Sequence, residues 1–187
     1  MQPFPQFYRR VLPLLCVTLL ALIPRTTLAQ VANDPEARLR ELGLTLPKVD
    51  PPFANYVRAV RTGNLVFLAG HGECGPNALK GKVERDHTVD EAYASARNVG
   101  LCLLASLKTE IGDLRKVKRI VRVFGMVNAT EDFTQHPKVI NGCSDMLVSV
   151  FGDRGPHARA AVGMQSLPTG ITVEIEMVVE VEPEPAR

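Results

Sequence analysis

The stretch from Ile171 to Val181 constrains the fold more than any other part of this chain. Ile171, Val173, Ile175, Met177, Val179 and Val181 are apolar, and between them stand Thr172, Glu174, Glu176, Val178 and Glu180. Side chains of a strand alternate between two faces, so this is a half-buried strand whose one face builds a core while the other carries carboxylates. Just upstream, Ala158-Arg159-Ala160-Ala161-Val162-Gly163-Met164 alternates less cleanly, and Leu167-Pro168-Thr169-Gly170 separates the two segments. A turn marked by Pro and Gly between two strand-like runs predicts antiparallel neighbours. Where the registers of the two strands agree, the lone Arg159 projects toward the side that carries Glu174 and Glu176, a small polar site on an apolar scaffold.

The front of the chain reads differently. Arg9-Arg10 precedes an uncharged run from Val11 to Pro24, followed by Arg25 and the small-residue site Thr27-Leu28-Ala29. Basic, apolar, small is the order of a secretory signal, and the apolar run is short for a membrane span. The expectation is a cleaved signal over residues 1–29, cut after Ala29, with a periplasmic or secreted product that keeps no membrane anchor. Residues 1–29 contain three arginines and no acid, so removing them lowers Lys plus Arg from 22 to 19 against 20 Asp plus Glu. The mature net charge becomes −1, and the basic character of the precursor is a targeting feature. It gives no support to nucleic-acid binding, which needs cations to replace counterions on phosphate.

Residues 30–52 form a lead-in: a short amphipathic pattern around Ala37–Leu42, broken at Pro47, Pro51 and Pro52. Residues 53–182 then make one domain. Tyr56–Arg61 and Leu65–Gly70 flank Thr62-Gly63-Asn64 as a hairpin. The loop Gly70-His71-Gly72-Glu73-Cys74-Gly75-Pro76 is a turn or a ligand loop, and it lacks the Gly-Lys-Ser/Thr ending of a phosphate loop. His71 there reads as a solvated turn residue or as a substrate contact. Thr88-Val89-Asp90-Glu91 has capping-box spacing, and the helix it starts runs to about Glu110, with Ala92, Ala96, Val99, Leu103 and Leu107 on one stripe. Lys116–Asn128 is a Val-rich strand. Its cluster Arg115, Lys116, Lys118, Arg119 and Arg122 is a polyanion patch or, with no interleaved aromatics, the solvated side of a strand. Pro137 opens a second helix, stopped by Gly152.

The order strand, strand, helix, strand, helix, strand, strand predicts an α+β domain in which two helices cover one face of a mixed sheet. The other face is left open, so self-association is expected. The mature chain keeps Cys74, Cys102 and Cys143, neither a disulfide framework nor a metal pattern. Cys102 and Cys143 read as small core residues and Cys74 as a free thiol, with one optional disulfide left open. Residues 183–187 read as a disordered tail.

Several phrases resemble the reactive intermediate deaminase family, RidA or YjgF. They are Ala158-Arg159 before a strand, the ending Leu167-Pro168 with Val173-Glu174-Ile175-Glu176, and, in support, Asn55-Tyr56-Val57 and Leu68-Ala69-Gly70. Val139-Ile140-Asn141-Gly142 and Phe151-Gly152-Asp153-Arg154-Gly155 look like its YjgF/chorismate-mutase-like, putative endoribonuclease subgroup. The resemblance implies a chorismate-mutase-like homotrimer with clefts between subunits. It also implies hydrolysis of 2-imino or enamino acids to 2-keto acids and ammonia, with no metal or organic cofactor. It makes Arg159 the holder of the substrate carboxylate and Glu174 the acidic residue near the attacking water. Tyr56, Gly70, His71, Asn141 and Ala161 fall on positions lining the cleft. Where the family often has Ser or Thr and then Cys after the arginine, this chain has Ala160 and Ala161, so only backbone groups can serve there.

Chemistry agrees with that assignment. An imine is already electrophilic, so the protein has mainly to hold the acid and place a water, and a guanidinium grips a carboxylate through two parallel hydrogen bonds. The competing structural reading is a cross-strand salt bridge from Arg159 to Glu174 or Glu176. The competing functional reading is a trimer that binds a small acid or a protein without catalysis. Endoribonuclease activity is disfavoured by the mature charge, and chorismate mutase activity would rest on fold alone.

Overall fold

The computed structural model describes residues 34–52 and 54–183. The signal expected over 1–29 and the last four residues of the expected tail lie outside them. A short helix α1 (Pro35–Glu41) starts where the Asp34 carboxylate accepts from the Glu36 and Ala37 amides. Then follow β1 (Ala59–Thr62), β2 (Leu65–His71), α2 (Val89–Ile111), β3 (Val117–Asn128), α3 (His136–Phe151), β4 (Ala158–Met164) and β5 (Val173–Val181). This is the element order that the hydrophobic periodicity implies. No helix of the described residues is long and apolar enough to cross a membrane.

Helix α2 begins on a complete capping box: Thr88 Oγ1 accepts from the Glu91 amide and the Glu91 carboxylate accepts from the Thr88 amide. It ends at Gly112, whose φ of 81° an L side chain would resist. The stripe Ala92, Ala96, Val99, Leu103 and Leu107 is fully buried. Each buried large aliphatic contributes about 1.5–3 kcal/mol against about 1 kcal/mol for a cap, so the stripe holds the helix down and the cap sets where it starts. Helix α3 buries Val139, Ile140, Cys143, Met146, Leu147 and Val150 and packs beside α2. The two helices approach closely at Gly142, where a Cβ would overlap the Tyr93 carbonyl.

The five strands form one sheet in the order β1-β2-β5-β3-β4. Every neighbouring pair is antiparallel except β3 and β4, which run parallel. This overturns the expected β4–β5 hairpin. The backbone of the intervening segment is taken elsewhere: Gly170 O accepts from Gly81 N, Thr172 N donates to Leu79 O, and Thr172 O accepts from Asn128 N. The segment is thus a strap pinned by residues 79–81, and it carries the chain across β3 to lie between β2 and β3. Strand β4 reaches its place through the helical crossover α3, the connection that a parallel pair requires.

The pairing fixes the faces. Val173, Ile175, Met177, Val179 and Val181 are buried, as their alternation implies. They point to the helix side, where α3 places Ile140 against Gly125, the partner of Ile175. The opposite face carries Val60, Phe67 and Val178 in one paired row beside Phe124 and Glu176. Val60 and Phe67 are 54% and 44% exposed, an apolar patch with no cover in a single copy.

Candidate functional site

Arg159 does not face Glu174. In register it pairs with Val123, which pairs with Met177, both buried on the helix side. Glu174 and Glu176 pair with Met126 and Phe124, which continue to Val162 and Ala160 on the open side. The expected projection of Arg159 toward the glutamates, and the salt bridge it allowed, are therefore both excluded by the strand order. Two strand spacings, about 10 Å, and the sheet itself separate the groups within one chain.

Arg159 instead leans on helix α3. Its Nη1 donates to Asn141 Oδ1 at 2.8 Å and to Ser144 Oγ at 3.0 Å. Asn141 and Ser144 are three residues apart and so share one helix face. No carboxylate pairs with Arg159 among the described residues, and its Nε and Nη2 have no partner there, so the exposed guanidinium keeps its positive charge and two donors. Ala161 follows on the same side of β4, half-buried against the core. Because β4 is the sheet's edge, half of its backbone groups also point outward beside Arg159. Cys143, fully buried beneath, has its thiol pushed up to about 12 by burial and is inert.

A second cluster lies at the junction of β2, β5 and the Gly-rich loop, in a cleft of about 720 Å³ bordered by Tyr56, Arg58, Gly70, His71 and Glu174. Glu174 lies over Gly70, where a Cβ would meet its carboxylate and push it aside. Burial, and then the neighbouring Glu176 charge, push the Glu174 pKa upward. Tyr56 stands exposed before β1, which begins only at Ala59.

The loop beyond Gly70 is anchored to α2. The Glu73 carboxylate accepts from the Ser95 hydroxyl, the Asn98 amide and the Leu79 backbone N–H. Cys74 is joined to Cys102 in a disulfide, so Cys74 is not a free thiol and Cys102 is more than a core filler; Cys143 alone of the three is free. His71 is not a solvated turn residue either. It ends β2, is 2% exposed, and has both ring nitrogens engaged, with Ala69 O and Ser106 Oγ each at 2.7 Å. It borders the cleft, but its ring belongs to the packing of β2 on α2. Among the described residues no three His, Cys, Asp or Glu side chains converge as metal ligands.

The predicted residues thus fall into two groups: Arg159, Asn141 and Ala161 by the β4 edge, and Tyr56, Gly70, His71 and Glu174 in the cleft. Sequence reasoning missed Ser144 and His157, although the spacing Asn141-x-x-Ser144 was a legible sign. Four of the five basic residues at β3 engage local partners: Arg115 on Asp113, Lys116 on Ile111 O, Lys118 near Glu180, and Arg122 over the Phe124 ring.

Comparison with known proteins places this geometry. The family model described as YjgF/chorismate_mutase-like, putative endoribonuclease matches residues 36–180. A Trypanosoma cruzi relative, Protein TCP17, is 38% identical over 77% of this chain and 92% of its own length. A Dermatophagoides farinae relative, 2-iminobutanoate/2-iminopropanoate deaminase, is 28% identical over 74% of this chain and 95% of its own. The crystal structure of Atu1372 from Agrobacterium tumefaciens, a protein of unknown function, superposes with a TM-score of 0.75 at 39% identity. It covers 84% of this chain and 98% of that one.

Proposed function

The chain belongs to the YjgF/chorismate_mutase-like, putative endoribonuclease family, and from that membership we propose that it hydrolyses 2-imino or enamino acids to 2-keto acids and ammonia. The observation that carries the reading is Arg159: an exposed guanidinium, held at one nitrogen by two neutral acceptors and matched by no acid among the described residues. Leaving such a group uncompensated suits it to an incoming carboxylate, which its Nε and Nη2 can take in parallel. The relative named as an iminobutanoate deaminase supports the reaction class.

Arg159 and Glu174 lie on opposite faces of one sheet, so a working site joins the β4 edge of one copy to the Gly70–Glu174 cleft of another. Burial of the apolar open face around Val60 and Phe67 supports this association, which we assign to a homotrimer with its clefts between subunits. In the assembled cleft Arg159 fixes the carboxylate. Glu174, as a carboxylate, takes a proton from a water that attacks the imine carbon. The same carboxyl returns that proton to nitrogen, giving a carbinolamine. It then takes the hydroxyl proton and delivers it to nitrogen as the carbon–nitrogen bond breaks, so that both water protons leave on ammonia and the carbonyl of the keto acid forms. A raised pKa suits both halves of that exchange. The Cys74–Cys102 disulfide suits the export expected from residues 1–29.

The test is release of ammonia and keto acid from freshly generated 2-iminobutanoate, with sedimentation to establish three copies. Acceleration over buffer that disappears in Arg159→Ala supports the reading. A folded trimer with no acceleration would sink it for these substrates and leave a carboxylate-binding module.

A further inference from the structure

We propose that Ser144 and His157 are positioning residues for Arg159, forming a relay of ordered hydrogen bonds that turns the Nε–Nη2 edge of the guanidinium toward a substrate carboxylate. The proposal rests on Arg159 being the carboxylate anchor. Its geometry begins at the backbone. His157 Nδ1 lies 2.7 Å from Gly155 O. A carbonyl oxygen can only accept, so Nδ1 carries the proton, and in the neutral ring Nε2 is left as an acceptor. Ser144 Oγ lies 3.0 Å from that Nε2 and therefore donates its hydroxyl proton to it. With its proton committed, the same oxygen turns a lone pair to Arg159 Nη1 at 3.0 Å. The second Nη1 hydrogen goes to Asn141 Oδ1 at 2.8 Å.

Each link decides the next. With the other tautomer, Nε2 would donate to Ser144, and the hydroxyl proton would be free to point at a guanidinium that cannot accept it. Burial and the adjoining Arg159 charge lower the His157 pKa, which keeps the ring neutral and the relay in its working sense. Removing Ser144 leaves Nη1 on Asn141 alone, and the guanidinium gains freedom to swing about that one bond.

The effect is one of orientation, so it should appear in binding more than in chemistry. The first measurement is on the ligand-free protein. Nitrogen-15 NMR should show His157 protonated on Nδ1 and the Arg159 guanidinium rotating slowly about its Nε–Cζ bond, with rotation accelerated in Ser144→Ala and restrained again in Ser144→Thr. The second uses 2-oxobutanoate, an inert product-class acid, in calorimetry. Ser144→Ala and His157→Gln should weaken its binding about tenfold, the loss of one hydrogen bond to a charged group, and Ser144→Thr should restore most of it. With 2-iminobutanoate the same variants should raise KM about tenfold at nearly constant kcat. A proton on Nε2, or a Ser144→Ala protein whose guanidinium rotates and binds as in the wild type, overturns the proposal. If the wild type neither binds 2-oxobutanoate nor turns over the imine, the deaminase reading fails. The NMR result then decides the relay alone.

Discussion

Two histidine–serine pairs, one in each half of the molecule, are built alike and end differently. His71 at the end of β2 and His157 before β4 each set Nδ1 against the carbonyl two residues back. Each sets Nε2 against a serine of the helix above, Ser106 of α2 or Ser144 of α3. Burial lowers both pKa values. The difference lies beyond the serine. Ser106 is buried and the chain of bonds stops there, so His71 only fastens β2 to α2. Ser144 also accepts from Arg159, so the same device reaches an exposed charge. One local motif serves packing where it ends in the core and serves a site where it ends at the sheet edge.

The cleft half is fastened by stronger means, with a disulfide and a clamped carboxylate in place of a relay. That contrast can be broken experimentally. The largest effect is expected from Arg159→Ala, which removes two charge-assisted hydrogen bonds to substrate, about 4 kcal/mol or roughly a thousandfold in kcat/KM. Its melting temperature should stay unchanged, because the side chain is exposed; a matching loss of stability would make it a structural residue. Next is the disulfide. Replacing Cys74 and Cys102 by serine opens a loop closed across 28 residues and should lower stability by about 3 kcal/mol, read by urea titration. The Arg159 guanidinium signal should stay unmoved if the two halves are independently held.

Glu174→Gln should cost about a hundredfold in kcat, the contribution of one general base. In the wild type the ionised form is the base, so kcat should rise with pH through the raised Glu174 pKa, and the variant should be flat there. Stability moves the opposite way. A carboxyl whose folded pKa is raised stabilises fully below its unfolded pKa, and that contribution is lost as pH rises through the folded value. Glu174→Gln should therefore be the more stable protein at neutral pH, and equal stability would show that Glu174 is well solvated.

The smallest effect is expected from Ser106→Ala, about 1 kcal/mol for one buried hydrogen bond, with activity unchanged. The same pair predicts an acid limb. His71 is lowered in the fold, so its contribution is present above the ordinary histidine range and drains away as pH falls through the folded pKa. A His71→Gln protein should show a shallower loss of stability on acidification than the wild type. An equal slope would place the acid sensitivity elsewhere, His157 being the first alternative.

Much of this protein is legible in its residues. The alternation of β5, the capping box at Thr88, the apolar stripes of α2 and α3 and the Gly63-Asn64 turn each encode local structure, because backbone preference and face periodicity act within a few residues. The site residues could also be named singly, from the resemblance. What the sequence left open was which elements meet. Period two says which residues of one strand share a face and is silent on which strand lies beside it. The Pro–Gly segment after β4 therefore read as a hairpin turn, until pairing with residues 79–81 made it a crossing strap. That one decision put Arg159 and Glu174 on opposite faces, while packing of the Gly-rich loop on α2 joined Cys74 to Cys102. The return of the chain from α3 into β4 placed Ser144 and His157 behind the arginine. Such choices rest on burial summed over the whole sheet and both helices, and only the tertiary structure performs that sum.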